Sequence, residues 1–220
     1  MKRILLYGAT GRTGKLVLKY ALEKGYYVTA LARNRQKIDL RSEKLTIIKG
    51  SPESIDDVRT AIKDCEIVIN TLSAFNEKEV LSLKKVEVRH TLEKSIHNTI
   101  KVMNELNIKK IVSLSSIGVG SSYTYAPWYM KLMIKISNFK FVFADHNKQE
   151  NLLMNSNLDW IIVRPVALND DTEIKQLAVQ YDKTPSPFKI SRSLTAKFMI
   201  DSLETDQYIH KAPIISQKKE

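Results

Sequence analysis

The first thirty-five residues constrain this chain more than any other stretch. An apolar segment, Ile4-Leu5-Leu6-Tyr7, runs into Gly8-Ala9-Thr10-Gly11-Arg12-Thr13-Gly14. An amphipathic segment follows, with Leu16, Val17, Tyr20 and Ala21 on its apolar side, and a second apolar run extends from Tyr27 to Leu31. The pattern reads strand, glycine turn, helix, strand. The chain holds 7 glycines in 220 residues, and three of them fall in this turn, so the turn is not a by-product of composition. Glycines at such a place let the chain reverse tightly and bring backbone N–H groups to a helix N-terminus, where the helix dipole favours an anion such as a pyrophosphate. The spacing Gly8-x-x-Gly11-x-x-Gly14 differs from the G-x-G-x-x-G fingerprint, and it is the flanking elements that give it weight.

Apolar runs and helical patterns alternate along the chain. The patterning predicts strands over 2–7, 27–32, 45–49, 66–71, 110–115 and 159–163. Helices are expected over 12–24, 53–63, about 84–106, 126–137, 142–156 and 192–204. Strands alternating with helices imply right-handed crossovers and a parallel sheet. Continuous apolar strands such as Ile67-Val68-Ile69 and Trp160-Ile161-Ile162-Val163 suit burial on both faces. Ser51-Pro52-Glu53-Ser54 opens one helix, and Ser191 or Ser193 can cap the last long one. The expected fold is α/β: a Rossmann-like, doubly wound, mostly parallel sheet flanked by helices. Residues 1–220 form one NAD(P)-binding domain in this reading, with 167–220 contributing a small C-terminal substrate region.

The net charge is +11, but the 35 Lys and Arg are spread along the chain in pairs and triples rather than in one stripe. That excludes a nucleic-acid footprint as the leading reading and favours anionic small molecules. Cys65 is the only cysteine, which permits no intrachain disulfide and fits a reducing cytosol. Met-Lys-Arg and four apolar residues before Gly8 are too short for a signal-peptide core, and no apolar run approaches the ~20 residues of a membrane span. The expectations are a cytoplasmic protein with no nucleic-acid or membrane partner, a monomer or weak homodimer.

Cofactor preference is written after the second strand. An NAD-selective site commonly places an acid there for the ribose 2′-OH. This chain has no acid from Gly25 to Ile38 and offers Arg33 and Arg35, with Arg12 in the glycine turn. A guanidinium matches a phosphate, so NADP(H) is the expected cofactor.

Together, Gly8–Gly14 and Leu31-Ala32-Arg33-Asn34 resemble the atypical short-chain dehydrogenase/reductases of the NAD(P)H-binding type. Lys110-Ile111-Val112-Ser113-Leu114-Ser115-Ser116 is similar to that family's fifth strand. Glu150 to Pro165 is similar to its helix–strand unit, and Ile190-Ser191-Arg192 to its late segment. Within the family the chain resembles the biliverdin-IXβ/flavin reductase type, sharing the Ala144-Asp145-His146 neighbourhood. The resemblance implies that Gly8, Thr10, Gly11, Arg12 and Thr13 cradle the pyrophosphate, and that Arg33 with Asn34 meets the 2′-phosphate. It also implies that Thr71, Leu72 and Ser73 run beside the ribose and adenine, that Ser115 and Ser116 face the nicotinamide, and that Pro165 and Val166 lie beside the carboxamide. The family often has Gly-Asp after the third strand; here it is Gly50-Ser51, so that contact is weaker or moved.

Short-chain reductases with full acid/base machinery use a Tyr and a Lys four residues on. Tyr20 and Lys24 have that spacing, but they read as a core residue and a surface charge of the first helix. Where the pair should fall stand Val142 and His146. Ser116 and His146 are the candidate catalytic groups: a hydroxyl for hydrogen bonding, and an imidazole whose ordinary pKa lies near neutrality. Tyr123, Tyr125, Trp128, Tyr129 and Phe75 suit a flat, conjugated substrate, or pack their loops onto the core. His90, His97 and His210 show no metal-ligand spacing with each other or with Cys65, and no metal is expected. Two functions follow: an NADPH-dependent reductase of a small planar acceptor (a flavin, quinone or tetrapyrrole-like molecule), or a non-catalytic NADPH-binding redox sensor.

Overall fold

A computed structural model describes residues 2–73, 89–173 and 175–219. Their elements run β1 (Arg3–Tyr7), α1 (Arg12–Glu23), β2 (Tyr27–Ala32), β3 (Leu45–Lys49), α2 (Ile55–Ile62), β4 (Ile67–Asn70), α3 (Thr91–Glu105), β5 (Lys110–Leu114), α4 (Trp128–Ile136), α5 (Phe139–Met154), β6 (Asp159–Pro165), β7 (Leu168–Asn169), β8 (Leu177–Gln180), β9 (Ile190–Ser191), α6 (Arg192–Asp201) and β10 (Ile214–Gln217). Each expected strand is present. The helix expected over 84–106 is described only from Thr91, and residues 84–88 lie outside the described set.

The main sheet has the order β3-β2-β1-β4-β5-β6-β10-β8. Six strands from β3 to β6 are parallel, and the chain order reverses between β1 and β4. That reversal opens a crevice at the strand C-termini, the place where open α/β sheets bind ligands. The strands are apolar throughout because helices cover both faces. Ile4, Leu6, Ile67 and Ile69 pack with Val17, Leu18 and Ala21 of α1 and Leu194 and Phe198 of α6. Leu5, Tyr7 and Val68 point the other way, to Val58 and Ile62 of α2, Ile96 and Met103 of α3, and Leu153 of α5.

The C-terminal stretch, for which the sequence predicts no strands, adds two strands to the main sheet and a small ribbon. β10 adds in parallel beside β6, with Ile214 opposite Arg164, and β8 pairs antiparallel with β10 at the sheet edge. β7 and β9 form a separate two-stranded ribbon. Strands of two to four residues carry too few alternations to be read from periodicity, and the side chains of β8 are only half-buried.

Helix starts follow local chemistry where the cap is local. Ser54 Oγ accepts from Asp57 N at 3.3 Å and Ser191 Oγ from Leu194 N at 3.0 Å. Helix α3 is capped from afar instead: buried Asp145 of α5 accepts from Leu92 N at 3.0 Å and Glu93 N at 3.1 Å.

Candidate cofactor and substrate site

The glycine turn closes the C-terminal end of β1 against β4. Gly8 has φ +78°, and a Cβ there would lie 2.6 Å from Thr71 Oγ1. A Cβ at Gly14 would lie 2.0 Å from the Gly8 carbonyl oxygen, so the first turn of α1 needs glycine to approach the strand end. Gly11 is different: φ is −80° and a Cβ would stand 3.3 Å from Gly8 O. Gly11 is the N-cap of α1, and no side chain caps the helix; its first turn holds no acid. Uncapped N–H groups at the start of a twelve-residue helix, behind a turn in which Gly8 and Gly11 carry no Cβ, fit an anion such as a dinucleotide pyrophosphate. Thr13 is buried within this turn, while Thr10 is half-buried.

Arg12 reaches out of the turn and forms an ion pair with Asp170, which also pairs with Arg192 Nη1 at 2.8 Å. The hydrogen bond from Arg12, with Arg192 adding its charge, holds the Asp170 carboxyl below the usual carboxylate range. This clasp between the glycine turn and the C-terminal region was not legible in the sequence, because its members stand far apart in the chain.

At the end of β2, Arg33 is exposed and makes no hydrogen bond or ion pair among the described residues. Asn34 is partly committed, since its Oδ1 accepts from Gln36 N at 2.9 Å and caps a short 3-10 turn. Arg35 is exposed in that turn. After β3, where Gly50-Ser51 stands, a carboxylate arrives from elsewhere: Asp57 Oδ2 accepts from Ser51 N at 2.9 Å.

The ends of β4, β5 and β6 are joined by a buried polar network. Thr71 Oγ1 donates to Tyr7 O at 2.7 Å, so the hydroxyl expected beside the ribose braces the glycine turn. Leu72 N donates to Asn70 Oδ1 at 3.1 Å; Ser73 is exposed. Asn70 Nδ2 donates to Gln149 Oε1 at 2.8 Å, and Gln149 Nε2 to Leu114 O at 3.1 Å. Ser115 Oγ donates to Glu150 Oε1 at 2.6 Å, and Glu150 also takes Arg164 Nε at 3.0 Å and Nη2 at 2.6 Å. Ser115 thus spends its proton on the network. Ser116 is half-buried and donates to Ile117 O at 3.0 Å. Pro165 and Val166 are buried beside the network, with Val166 N donating to Ile215 O of β10 at 3.1 Å.

His146 lies on the same buried face of α5, one turn before Glu150, and its Nδ1 has no hydrogen-bond partner among the described residues. Burial pushes its pKa down to about 4. A ring held neutral has little of the protonated form to donate near neutrality, which argues against the expected proton delivery. Val142 is buried as well. Tyr20 and Lys24 are engaged elsewhere: Tyr20 Oη lies 2.6 Å from Ser193 Oγ, and Lys24 pairs with Asp201 at 2.7 Å and Glu204 at 2.8 Å. They tie α1 to α6.

The aromatic residues divide. Tyr125 packs on the core, whereas Trp128 is 76% exposed and Tyr129 50%. Trp128 meets Tyr129 edge-on at 6.1 Å between centroids, and Tyr129 meets Phe188 at 6.2 Å. Phe75 lies outside the described residues. One acidic cluster missed by spacing appears: ligand atoms of His90, Glu93 and Asp145 lie within 4.8 Å of one another. Protein donors already fill it, since Lys148 Nζ lies 3.1 Å from His90 Nδ1 and 2.7 Å from Glu93 Oε2. Among the described residues no helix is long and apolar enough to cross a membrane.

The sheet order, the switch point and the glycine turn define a Rossmann-like dinucleotide-binding fold. Residues 8–206 match the model of the NAD(P)H-binding family, and the chain belongs to that family. Among curated proteins it is 23% identical to an uncharacterized chloroplastic protein of Arabidopsis thaliana, over 100% of this chain and 78% of that one. Among solved structures it resembles ChuY, an anaerobillin reductase from Escherichia coli O157:H7, with TM-score 0.79, 17% identity and coverage of 100% and 98% of the two chains. It also resembles a short-chain dehydrogenase/reductase from Veillonella parvula in complex with NADP, with TM-score 0.75, 18% identity and coverage of 98% and 94%. The fold is thus that of NAD(P)H-binding reductases.

Proposed function

We propose that the protein is an NADPH-dependent reductase of a small planar acceptor, working without a Tyr/Lys pair. The observation that carries this reading is the uncapped N-terminus of α1 behind the glycine turn, with exposed Arg33 at the end of the neighbouring strand. The first-turn N–H groups and Gly8, Thr10, Gly11 and Thr13 hold the pyrophosphate, Arg12 flanks it, and Arg33 takes the 2′-phosphate. The bound cofactor supplies a hydride. The chain's own part is to position two flat partners at the ends of β4, β5 and β6 and to keep the β5 end rigid through Ser115, Glu150 and Arg164. Ser116 borders the reacting face as a hydrogen-bonding group.

A flavin, quinone or linear tetrapyrrole accepts hydride readily and takes its proton from solvent, which suits a site whose buried histidine stays neutral. The exposed rings of Trp128 and Tyr129, with Phe188 against Tyr129, suit such a molecule. The anaerobillin reductase among the structural relatives favours the tetrapyrrole-like end of this range. Anaerobic mixing with NADPH and FMN, menadione or a bilin, followed by loss of nicotinamide absorbance, tests the reading. Cofactor binding with no oxidation across that panel refutes it and leaves the redox-sensor alternative. Arg33→Ala is expected to weaken NADPH at least about tenfold while leaving NADH nearly unchanged, as for loss of a charge-assisted phosphate contact. Equal weakening of both refutes the 2′-phosphate assignment.

A further inference from the structure

The surface of α4 is built the wrong way round for a helix that only packs on its own protein. Met130 and Ile134 anchor it and are each 8% exposed. The remaining apolar side chains face out: Trp128, Leu132 and Ile136 stack at i, i+4 and i+8, with Tyr129 and Met133 alongside. Trp128 is 76% exposed and Ile136 74%, which makes this a continuous apolar stripe rather than a scatter of single residues. Lys135 borders the stripe and Lys140 follows at the start of α5, both exposed, while Lys131 on the same rim donates its Nζ to Thr124 O at 2.9 Å. No Asp or Glu occurs from Leu106 to Ala144.

We propose that this face of α4 seats the protein on an anionic membrane surface. Tryptophan and tyrosine favour the boundary between headgroups and acyl chains. Leucine, methionine and isoleucine enter the outer acyl region, and flanking lysines reach anionic headgroups. The helix lies in the plane of the surface; no span is needed, so the length argument against a membrane partner does not bear on it. A second copy of the chain is the poorer occupant. Self-association through this face would bring lysine rims with no interleaved acid against each other, in a chain of net charge +11. Trp128 and Tyr129 also border the proposed acceptor site; the stripe extends beyond them through Leu132, Met133 and Ile136, and vesicle binding is read without turnover, so failure here and failure of the reductase reading are distinguishable.

Co-sedimentation of the full chain with vesicles tests the assignment. The lipid is phosphatidylcholine alone, or with about a third phosphatidylglycerol. The protein is expected to sediment with the anionic vesicles and not with the neutral ones, less so as salt rises. The emission of Trp128 is expected to shift to the blue, and Trp128→Phe to abolish that shift. Leu132→Ser with Ile136→Ser should lower the bound fraction at least about tenfold, and Lys135→Gln with Lys140→Gln by roughly fivefold or more. These side chains are exposed, so unchanged melting temperatures establish that the variants fold. The proposal is overturned if the protein stays in solution with anionic vesicles at low salt. It is overturned equally if binding ignores the Leu132 and Ile136 changes, or if those changes instead abolish a concentration-dependent dimer.

Discussion

Removing the carboxylate of Glu150 gives the most demanding test of how the site is held. Glu150 and Arg164 are 1% and 4% exposed in their side chains, and the carboxylate accepts three hydrogen bonds, two from Arg164 and one from Ser115. Replacing Glu150 by Leu leaves the guanidinium buried with Ser121 Oγ, 3.1 Å from Nη1, as its remaining side-chain partner among the described residues. Breaking a buried pair from one side costs about 3–5 kcal/mol, because the surviving charge stays out of water. At about 2–4 °C per kcal/mol for a chain of this size, the melting temperature should drop by roughly 6–20 °C. Glu150→Gln keeps the shape but sets an amide against the guanidinium fork, and should lose most of the same stability. Glu150→Leu with Arg164→Met removes both charges and should recover about 2 kcal/mol or more of the sum of the single losses. Urea unfolding followed by circular dichroism and tryptophan fluorescence measures all four corners of the cycle. A loss under about 1 kcal/mol for Glu150→Gln, or simple additivity in the cycle, refutes the argument that this pair carries an uncompensated burial cost when split.

Three further outcomes are expected. Gly14→Ala should destabilise by about 1–3 kcal/mol or more and abolish NADPH binding in a fluorescence titration, whereas Gly11→Ala should change binding only a few-fold; equal effects contradict the close approach at Gly14. Asp170→Asn removes a carboxylate that competes for Arg12 and should tighten NADPH roughly two- to fivefold at low salt, less at high salt; weaker binding would mean that the clasp orients Arg12 for the ligand. His146 binds its proton with a pKa of about 4 when folded against about 6.5 when unfolded, so the unfolded chain takes up the extra proton. Stability should therefore fall as pH drops from about 6.5 towards 4, by up to about 3 kcal/mol, and His146→Gln should flatten that part of the profile; an unchanged slope refutes it.

The glycine turn and the unit of fold around it were legible because their signals are local. Glycine spacing, the strand before it and the missing acid after β2 all lie within one unit of the fold. Whatever depends on the meeting of distant residues was not. Nothing near Arg12 announces Asp170 or Arg192, and nothing near Ser115 announces Glu150 and Arg164 as its partners. Asp145 looked like part of a family neighbourhood, yet its carboxylate caps a helix on another segment. His146 was judged by its ordinary pKa, and only tertiary burial moves it. The strands β8 and β10 escaped notice because four residues cannot establish a period; the place of β10 is fixed by pairing with β6, and that of β8 by pairing with β10, rather than by their own pattern.

The ties between α1 and α6 have a thermodynamic consequence at a distance. A ligand at the N-terminus of α1 stabilises whatever must be folded for that terminus to exist. Tyr20 and Lys24 bind the far half of the same helix to Ser193, Asp201 and Glu204. Cofactor occupancy should therefore register as slower amide exchange across α6.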